Sequence, residues 1–435
     1  MATVPGQTGT PALAFRARLQ PRFHRNTMSH QAAPAYALST HAASLRSSDV
    51  RELLRAAQQA RVISLAGGLP AAELFDVDGV RAATQAVLEQ APAAALQYGL
   101  TEGQPALRAA LEARERATGL SLAERSLLVT TGSQQALDIV ARLLLDEGDV
   151  VVMQRPGYLA ALQTFSLAGA RCVGLEEDEE GARVEELETL QLPRKPKLIY
   201  LVTPFANPSG ATLSLRRRRW LLQWAARNEV LVLEDDPYGV LRTEGQELPG
   251  LAALAQDIPG ARDWCGRTST LSKAVAPGLR LGWLILPQPL AEAAARVKQA
   301  MDLHTPSFTQ EIAARYLDSG RLEPHLARVR AAYRERRRAL CAALREDFGT
   351  ALEFHEPEGG MFVWARFTDG TDTRALLSLA LEQGMAFVPG DAFYAEAAPR
   401  DRLRLSFTTE TPDRLREGVA RLRAAWRGLS RGVAA

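Results

Sequence analysis

Lys197-Leu198-Ile199-Tyr200-Leu201-Val202 and Val230-Leu231-Val232-Leu233 are two near-continuous apolar runs, separated by a helical stretch from Leu215 to Arg227. A strand needs apolar side chains on both faces when helices cover it on both sides. The same alternation recurs along the middle of the chain. Strands are predicted over 127–130, 149–153, 267–271 and 281–286, and helices over 133–145 and 159–167. A β-α-β-α order of this kind predicts an α/β fold with a mostly parallel sheet between helix layers.

Outward from this middle the rhythm changes. Asp49 can cap a helix through Val50, Leu53, Leu54 and Ala57. A break at Ser64-Leu65-Ala66-Gly67-Gly68-Leu69-Pro70 precedes helices predicted over 77–90 and 105–118, the second closed by Gly119. On the C-terminal side a long helix over 322–348 leads to strands at 361–364, 385–388 and 403–406, with helices over 373–383 and 412–426. This tail predicts a small α+β domain over 310–435, beside a large domain over 76–309. Residues 45–75 read as an N-terminal helix and loop, and residues 1–44 as a disordered extension. That extension holds Arg16, Arg18, Arg22 and Arg25 and no acid, but its apolar periodicity is too poor for an organellar transit peptide.

Composition narrows the function. A net charge of +2 gives no global attraction to nucleic acid or anionic membrane. The arginine runs 216–219 and 334–338 spread around helix surfaces at helical spacing. Three scattered cysteines, Cys172, Cys265 and Cys341, form neither a disulfide framework nor a zinc spacing, and fit a reducing, cytoplasmic setting. No apolar run is long enough to span a bilayer.

Chemistry concentrates at the ends of the predicted strands, where an open α/β sheet holds its ligand. The chain has 48 arginines but four lysines, and one of these stands in Ser269-Thr270-Leu271-Ser272-Lys273. A lysine amine of lowered pKa can form a Schiff base, which a guanidinium cannot. Thr131-Gly132-Ser133-Gln134-Gln135 joins a strand to a helix start, a place suited to an anion or to simple capping. Glu234-Asp235-Asp236-Pro237-Tyr238 ends a buried strand in acids that could hold a pyridinium N–H; metal binding would want further ligands, and none stand near in the sequence. Asn207, in Thr203-Pro204-Phe205-Ala206-Asn207-Pro208-Ser209-Gly210, could donate to a phenolate oxygen or serve a plain turn.

In their order these motifs resemble the fold-type I, pyridoxal-phosphate-dependent aminotransferases of class I, from about residue 45 to the C-terminus. The subgroup most resembled is that of the 2-aminoadipate and kynurenine/aminoadipate aminotransferases, through Ile63 to Pro70, Leu96-Gln97-Tyr98, Asp302 to Pro306 and Gly359 to Trp364. The resemblance implies a seven-stranded-type large sheet and pyridoxal 5'-phosphate as cofactor. It implies that Lys273 holds the cofactor and moves the Cα proton, that Asp235 pairs with the pyridine nitrogen, and that Tyr238 and Asn207 bond the phenolic oxygen. Tyr158 would stack on the ring, while Ser133, Gln134, Thr270, Ser272 and Arg280 would hold the phosphate. Tyr98 would reach the cofactor of a second subunit across a two-fold homodimer. Arg404 would bind the substrate α-carboxylate, with Asn207 and Gly68 beside it. Gly99-Leu100 departs from the family's usual Ser-Pro after that tyrosine.

The expected reaction is ping-pong transamination between an amino acid and a 2-oxo acid, with 2-oxoglutarate as acceptor. Arg51, in Val50-Arg51-Glu52-Leu53-Leu54, fits the subgroup's arginine for the distal carboxylate of glutamate or 2-aminoadipate; leucine and aromatic donors are also expected. A role in lysine biosynthesis is one pathway open to such an enzyme. His304 and Cys265 read as structural. Alternatives on the same cofactor are β-elimination and decarboxylation. A transcriptional regulator would want a helix-turn-helix module, for which the ~45 leading residues are too few.

Overall fold

The computed structural model describes residues 62–395 and 398–433, together with 37–39 and 43. The chain divides into two units, Met1–Ala43 and Ser44–Ala435. Four residues of the first are described, and the account below concerns the second. The helix expected over residues 50–57, and Arg51 with it, lies outside the described residues.

The largest sheet runs, edge to edge, Arg125–Thr130, Gly282–Pro287, Cys265–Thr270, Leu231–Asp236, Leu198–Val202, Val150–Arg155, Arg171–Asp178 and Gly181–Ala182. Gly282–Pro287 is antiparallel to both neighbours, and Gly181–Ala182 turns back along the far edge. The pairings from Cys265–Thr270 to Arg171–Asp178 are all parallel. Apart from the two-residue edge piece, this is the expected seven-stranded, mostly parallel sheet.

Its strands are apolar throughout because alternate residues enter two separate cores. Leu128, Met153, Leu198, Leu233 and Leu284 pack with Leu137, Val140 and Phe165 on one side. Leu127, Val152, Ile199, Val232 and Ile285 pack with Val87, Leu107, Leu111, Leu221 and Ile312 on the other. Each fully buried Leu, Val or Ile contributes about 1.5–3 kcal/mol, so each helix layer has its own reason to dock. Local chemistry sets the helix starts. Asp76 accepts from the Gly79 amide at the head of Val77–Gln90 and is itself clamped by Arg321 at 2.8 Å. Ser214 and Asp372 cap Leu215–Asn228 and Thr373–Glu382 in the same way.

A second, antiparallel sheet has the order Leu352–Phe354, Phe362–Phe367, Arg402–Ser406, Val388–Pro389. Its Val363, Ala365, Leu403 and Leu405 join the first core, with Leu340 and Leu344 of the Leu322–Phe348 helix and Leu415 and Val419 of the Pro412–Val433 helix. The single strand expected over 385–388 is in fact two. Met385–Ala386 pairs with Ile63–Ser64, and Val388–Pro389 with Arg402–Ser406, because Phe387 turns into the core between them. Arg171–Asp178 was not predicted: Leu175 is its one fully buried position, and its charges look like loop. Among the described residues no helix is long and apolar enough to cross a membrane.

Candidate active site

Parallel strands bring their C-terminal ends to one edge of the sheet. Here that edge gathers Thr130 to Ser133, Arg155 to Tyr158, Val202 to Asn207, Asp235 to Tyr238 and Thr270 to Lys273. A cavity of about 260 Å³ opens there, lined among others by Gly68, Tyr158, Asn207, Asp235, Tyr238, Lys273 and Arg404. Residues separated by hundreds of positions thus line one cavity.

The acid run resolves by strand alternation. Asp235 faces the cavity, while Glu234 and Asp236 point to the opposite face. There Arg267 donates to Glu234 at 2.9 Å, to Asp236 at 2.7 Å and to Glu115 at 3.0 Å. Asp235 is buried, accepts from the Tyr200 hydroxyl at 2.6 Å through Oδ2, and has no partner for Oδ1 among the described residues. Burial pushes its carboxyl up to about 7, against the Tyr200 bond, which favours the ionised form. Tyr200 and Arg267 were not singled out from the sequence. The signal was present for Tyr200: a polar tip inside an apolar strand must find a partner.

Lys273 donates to the Gly68 carbonyl at 3.0 Å. Burial, then the positive charges of Arg404 and Arg280, push its amine down to about 8. Arg404, on the Arg402–Ser406 strand, is buried and donates to Asn207 Oδ1 and to the Ala66 carbonyl, each at 2.8 Å. Its guanidinium lies 4.2 Å from the Phe362 ring centroid and 4.9 Å from that of Phe393, which fixes the plane of the fork. Its Nε is unpartnered among the described residues. Asn207 also hydrogen-bonds Tyr238, whose hydroxyl burial holds above the usual phenol range. Burial, then the Asp235 charge, raises Tyr158 to about 12.

Beside this cavity Gly132 begins the Ser133–Leu144 helix with φ 79, a value that favours glycine. A Cβ there would sit 2.5 Å from the Arg280 guanidinium, so only a bare backbone lets that cation approach the helix start. The first-turn amides at Ser133 and Gln134 have no carbonyl one turn back to bind. The Gln134 side chain bonds Thr164 at 2.7 Å, which leaves its backbone amide as the group available to an anion. Thr270 donates to Ser272 at 2.9 Å, so the two hydroxyls lie side by side. Tyr98 is not brought into the cavity. It is 78% exposed, edge-on to His304 at 5.8 Å. His304 accepts from the Gly99 amide and contacts the Thr305 carbonyl, a loop-bracing role as expected. Cys265 is buried.

Residues 61–422 match the family described as "Aminotransferase class I and II". The chain is 39% identical over 391 residues to aromatic-amino-acid aminotransferase 1 of Thermococcus litoralis, covering 88% of this chain and 92% of that protein. It is 37% identical over 387 residues to the 2-aminoadipate transaminase of Thermus thermophilus, covering 88% and 95%. The crystal structure of Pyrococcus horikoshii kynurenine aminotransferase, in complex with PMP, superposes with a TM-score of 0.85 at 38% identity, covering 90% of this chain and 97% of that one. The chain therefore belongs to the class I and II aminotransferases and is a pyridoxal-phosphate-dependent aminotransferase of fold type I.

Proposed function

We propose that Lys273 carries the cofactor in this cavity and that the chain moves α-amino groups from acidic, and also aromatic or aliphatic, amino acids to 2-oxoglutarate. The observation that carries the reading is the meeting of one amine, one buried carboxylate oxygen without a partner among the described residues, and one guanidinium set against two aromatic rings.

The groups present suit pyridoxal 5'-phosphate. Asp235 Oδ1 is an orphaned acceptor where a ring N–H would sit, and the Gly132–Arg280 cradle at a helix start suits a phosphate. Ser133, the Gln134 amide, Thr270, Ser272 and Arg280 would hold that phosphate, and Tyr158 would cover the ring. When bound, the cofactor supplies an electron sink for the charge left as a bond at the substrate Cα breaks. Arg404 binds the α-carboxylate and sets the orientation of the Cα–H bond. An Nζ held near 8 is neutral in roughly a tenth of molecules at neutral pH, far more often than an ordinary lysine, so Lys273 can accept that proton and return it to another carbon. Asp235 would keep the ring nitrogen protonated, and Asn207 and Tyr238 would donate to the ring oxygen.

For the side chain, Lys273 and Arg404 are the two cations lining the cavity among the described residues, and both are committed. A distal carboxylate therefore needs a further cation, and Arg51 is proposed for it. The walls offered by Leu159, Ala160 and Phe393 suit apolar donors. The relatives named for aromatic amino acids and for 2-aminoadipate support both kinds of substrate. Lysine biosynthesis remains a proposed setting on the same ground.

A homodimer belongs to this proposal. Leu96, Tyr98, Leu100 and Leu303 are exposed apolar side chains, 73%, 78%, 53% and 42%, that a second copy would cover. So does the division into parts 76–309 and 310–435, each with its own sheet. The free thiols Cys172, Cys265 and Cys341 support a cytoplasmic setting. Glutamate added to the loaded protein should convert its absorbance to that of the pyridoxamine form, and 2-oxoglutarate should restore it; no interconversion would end the reading. A panel of amino donors then ranks the substrates. Arg51→Ala should lower kcat/KM for 2-oxoadipate more than for an aromatic 2-oxo acid, and equal effects would remove Arg51 from the site.

A further inference from the structure

We infer that Tyr200 is a positioning residue for the reaction: by donating its hydroxyl hydrogen to Asp235 Oδ2, it keeps that carboxylate ionised and leaves Oδ1 turned to the cavity for the cofactor's ring nitrogen. The inference rests on the role proposed for Asp235 and concerns what holds Asp235 ready.

Tyr200 occupies the middle of the Leu198–Val202 strand and is fully buried. Across the sheet it stands opposite Met153 on one side and Leu233 on the other, while Val202 stands opposite Asp235. Tyr200 and Asp235 are thus diagonal neighbours on one face, within the reach of a tyrosine. The ring is held edge-on by Phe165 at 5.5 Å, and its core neighbours, Met153, Leu233 and Ala161 among them, are apolar. Phenylalanine would pack equally well among them. What the hydroxyl adds is the 2.6 Å bond to Asp235. Asp235 has no other hydrogen-bond donor among the described residues.

The surrounding charges make that donor matter. Glu234 and Asp236 are like charges that disfavour an ionised Asp235, and the opposing Arg267 is engaged with those two and Glu115. Tyr158 and Tyr238 are the other titratable groups facing Tyr200. Burial and the adjacent Asp235 hold the Tyr200 phenol well above its ordinary range, so it stays a donor at any working pH.

The test uses the loaded enzyme and Tyr200→Phe. Thermal stability should stay close to wild type, the cofactor dissociation constant should rise about tenfold, and kcat/KM should fall about 10- to 100-fold. The pH midpoint of the visible absorbance change should move upward by about one unit, because a less protonated ring nitrogen lowers the imine pKa less. In an Asp235→Asn background, adding Tyr200→Phe should change these readouts less than about twofold, since a residue acting through Asp235 loses its route. Unchanged midpoint and dissociation constant in Tyr200→Phe would overturn the inference, as would equal losses in both backgrounds. If Asp235→Asn itself kept normal cofactor affinity and turnover, the role of Asp235 would fall and take this inference with it; a damaged Asp235→Asn beside a normal Tyr200→Phe would sink the inference alone.

Discussion

The strand Leu231–Asp236 ends in three consecutive carboxylates that meet two different environments. On the face away from the cavity, both oxygens of Glu234, Asp236 and Glu115 have donors: Thr203, Leu251, Gly239 and Trp283 complete what Arg267 begins. Against the cost of burial, Arg267 and Arg218 hold Glu234 below the usual carboxylate range. On the cavity face Asp235 has, among the described residues, one donor and one idle oxygen, and burial drives it the other way. A structural charge is satisfied within the protein. A carboxylate with an unmet valence at a cavity wall is reserved for something else.

Substitutions on the cavity face should abolish chemistry and spare stability. The largest loss is expected for Lys273→Ala, about 100- to 10,000-fold in kcat, with no borohydride-trapped chromophore on the protein. Near wild-type turnover there would place the amine elsewhere. Asp235→Asn should follow, at about 100- to 1,000-fold in kcat, with Tm unchanged or raised because a costly buried charge is removed. Arg404→Lys should raise KM for amino and 2-oxo acids alike by about 10- to 100-fold, since an ammonium cannot reproduce the fork.

A subtler contrast lies in pH. The Lys273 amine is lowered to about 8 in the folded, cofactor-free protein, so the unfolded chain binds more protons above that pH. Its contribution to stability therefore rises with pH from about 8 until the unfolded amine has also titrated near 10.5. Denaturant midpoints across this window should climb in the wild type relative to Lys273→Met; parallel curves would refute the depressed amine.

The opposite face should behave in reverse. Arg267→Met leaves the buried Glu115 and Glu234 and the half-buried Asp236 without their common cation and should cost about 3–5 kcal/mol of stability. Turnover per folded molecule, measured at low temperature, should stay within a few-fold of wild type. A larger kinetic than thermal effect would mean that the two faces are not separable.

Helices and central strands were legible because their signals are local. Val77–Gln90, Leu159–Leu167 and Leu322–Phe348 appear where apolar periodicity places them. Strands at or next to a sheet edge were not: Arg171–Asp178 has polar side chains where one face meets solvent, and Leu352–Phe354 spans three residues. The split at Phe387 depends on two different partners, neither of which lies nearby in sequence.

The linear chain singled out Lys273 among few lysines and set Asn207 and the acid run 234–236 at strand ends, while the choice of Asp235 and the roles proposed for Tyr238 and Arg404 came from the family its motifs resemble. That Glu234 and Asp236 turn to the face opposite Asp235, that Tyr200 stands behind Asp235, and that Arg267 neutralises its neighbours followed from the packing alone. Those facts depend on strand register and on side chains crossing between strands, and a one-residue slip would have exchanged the two faces.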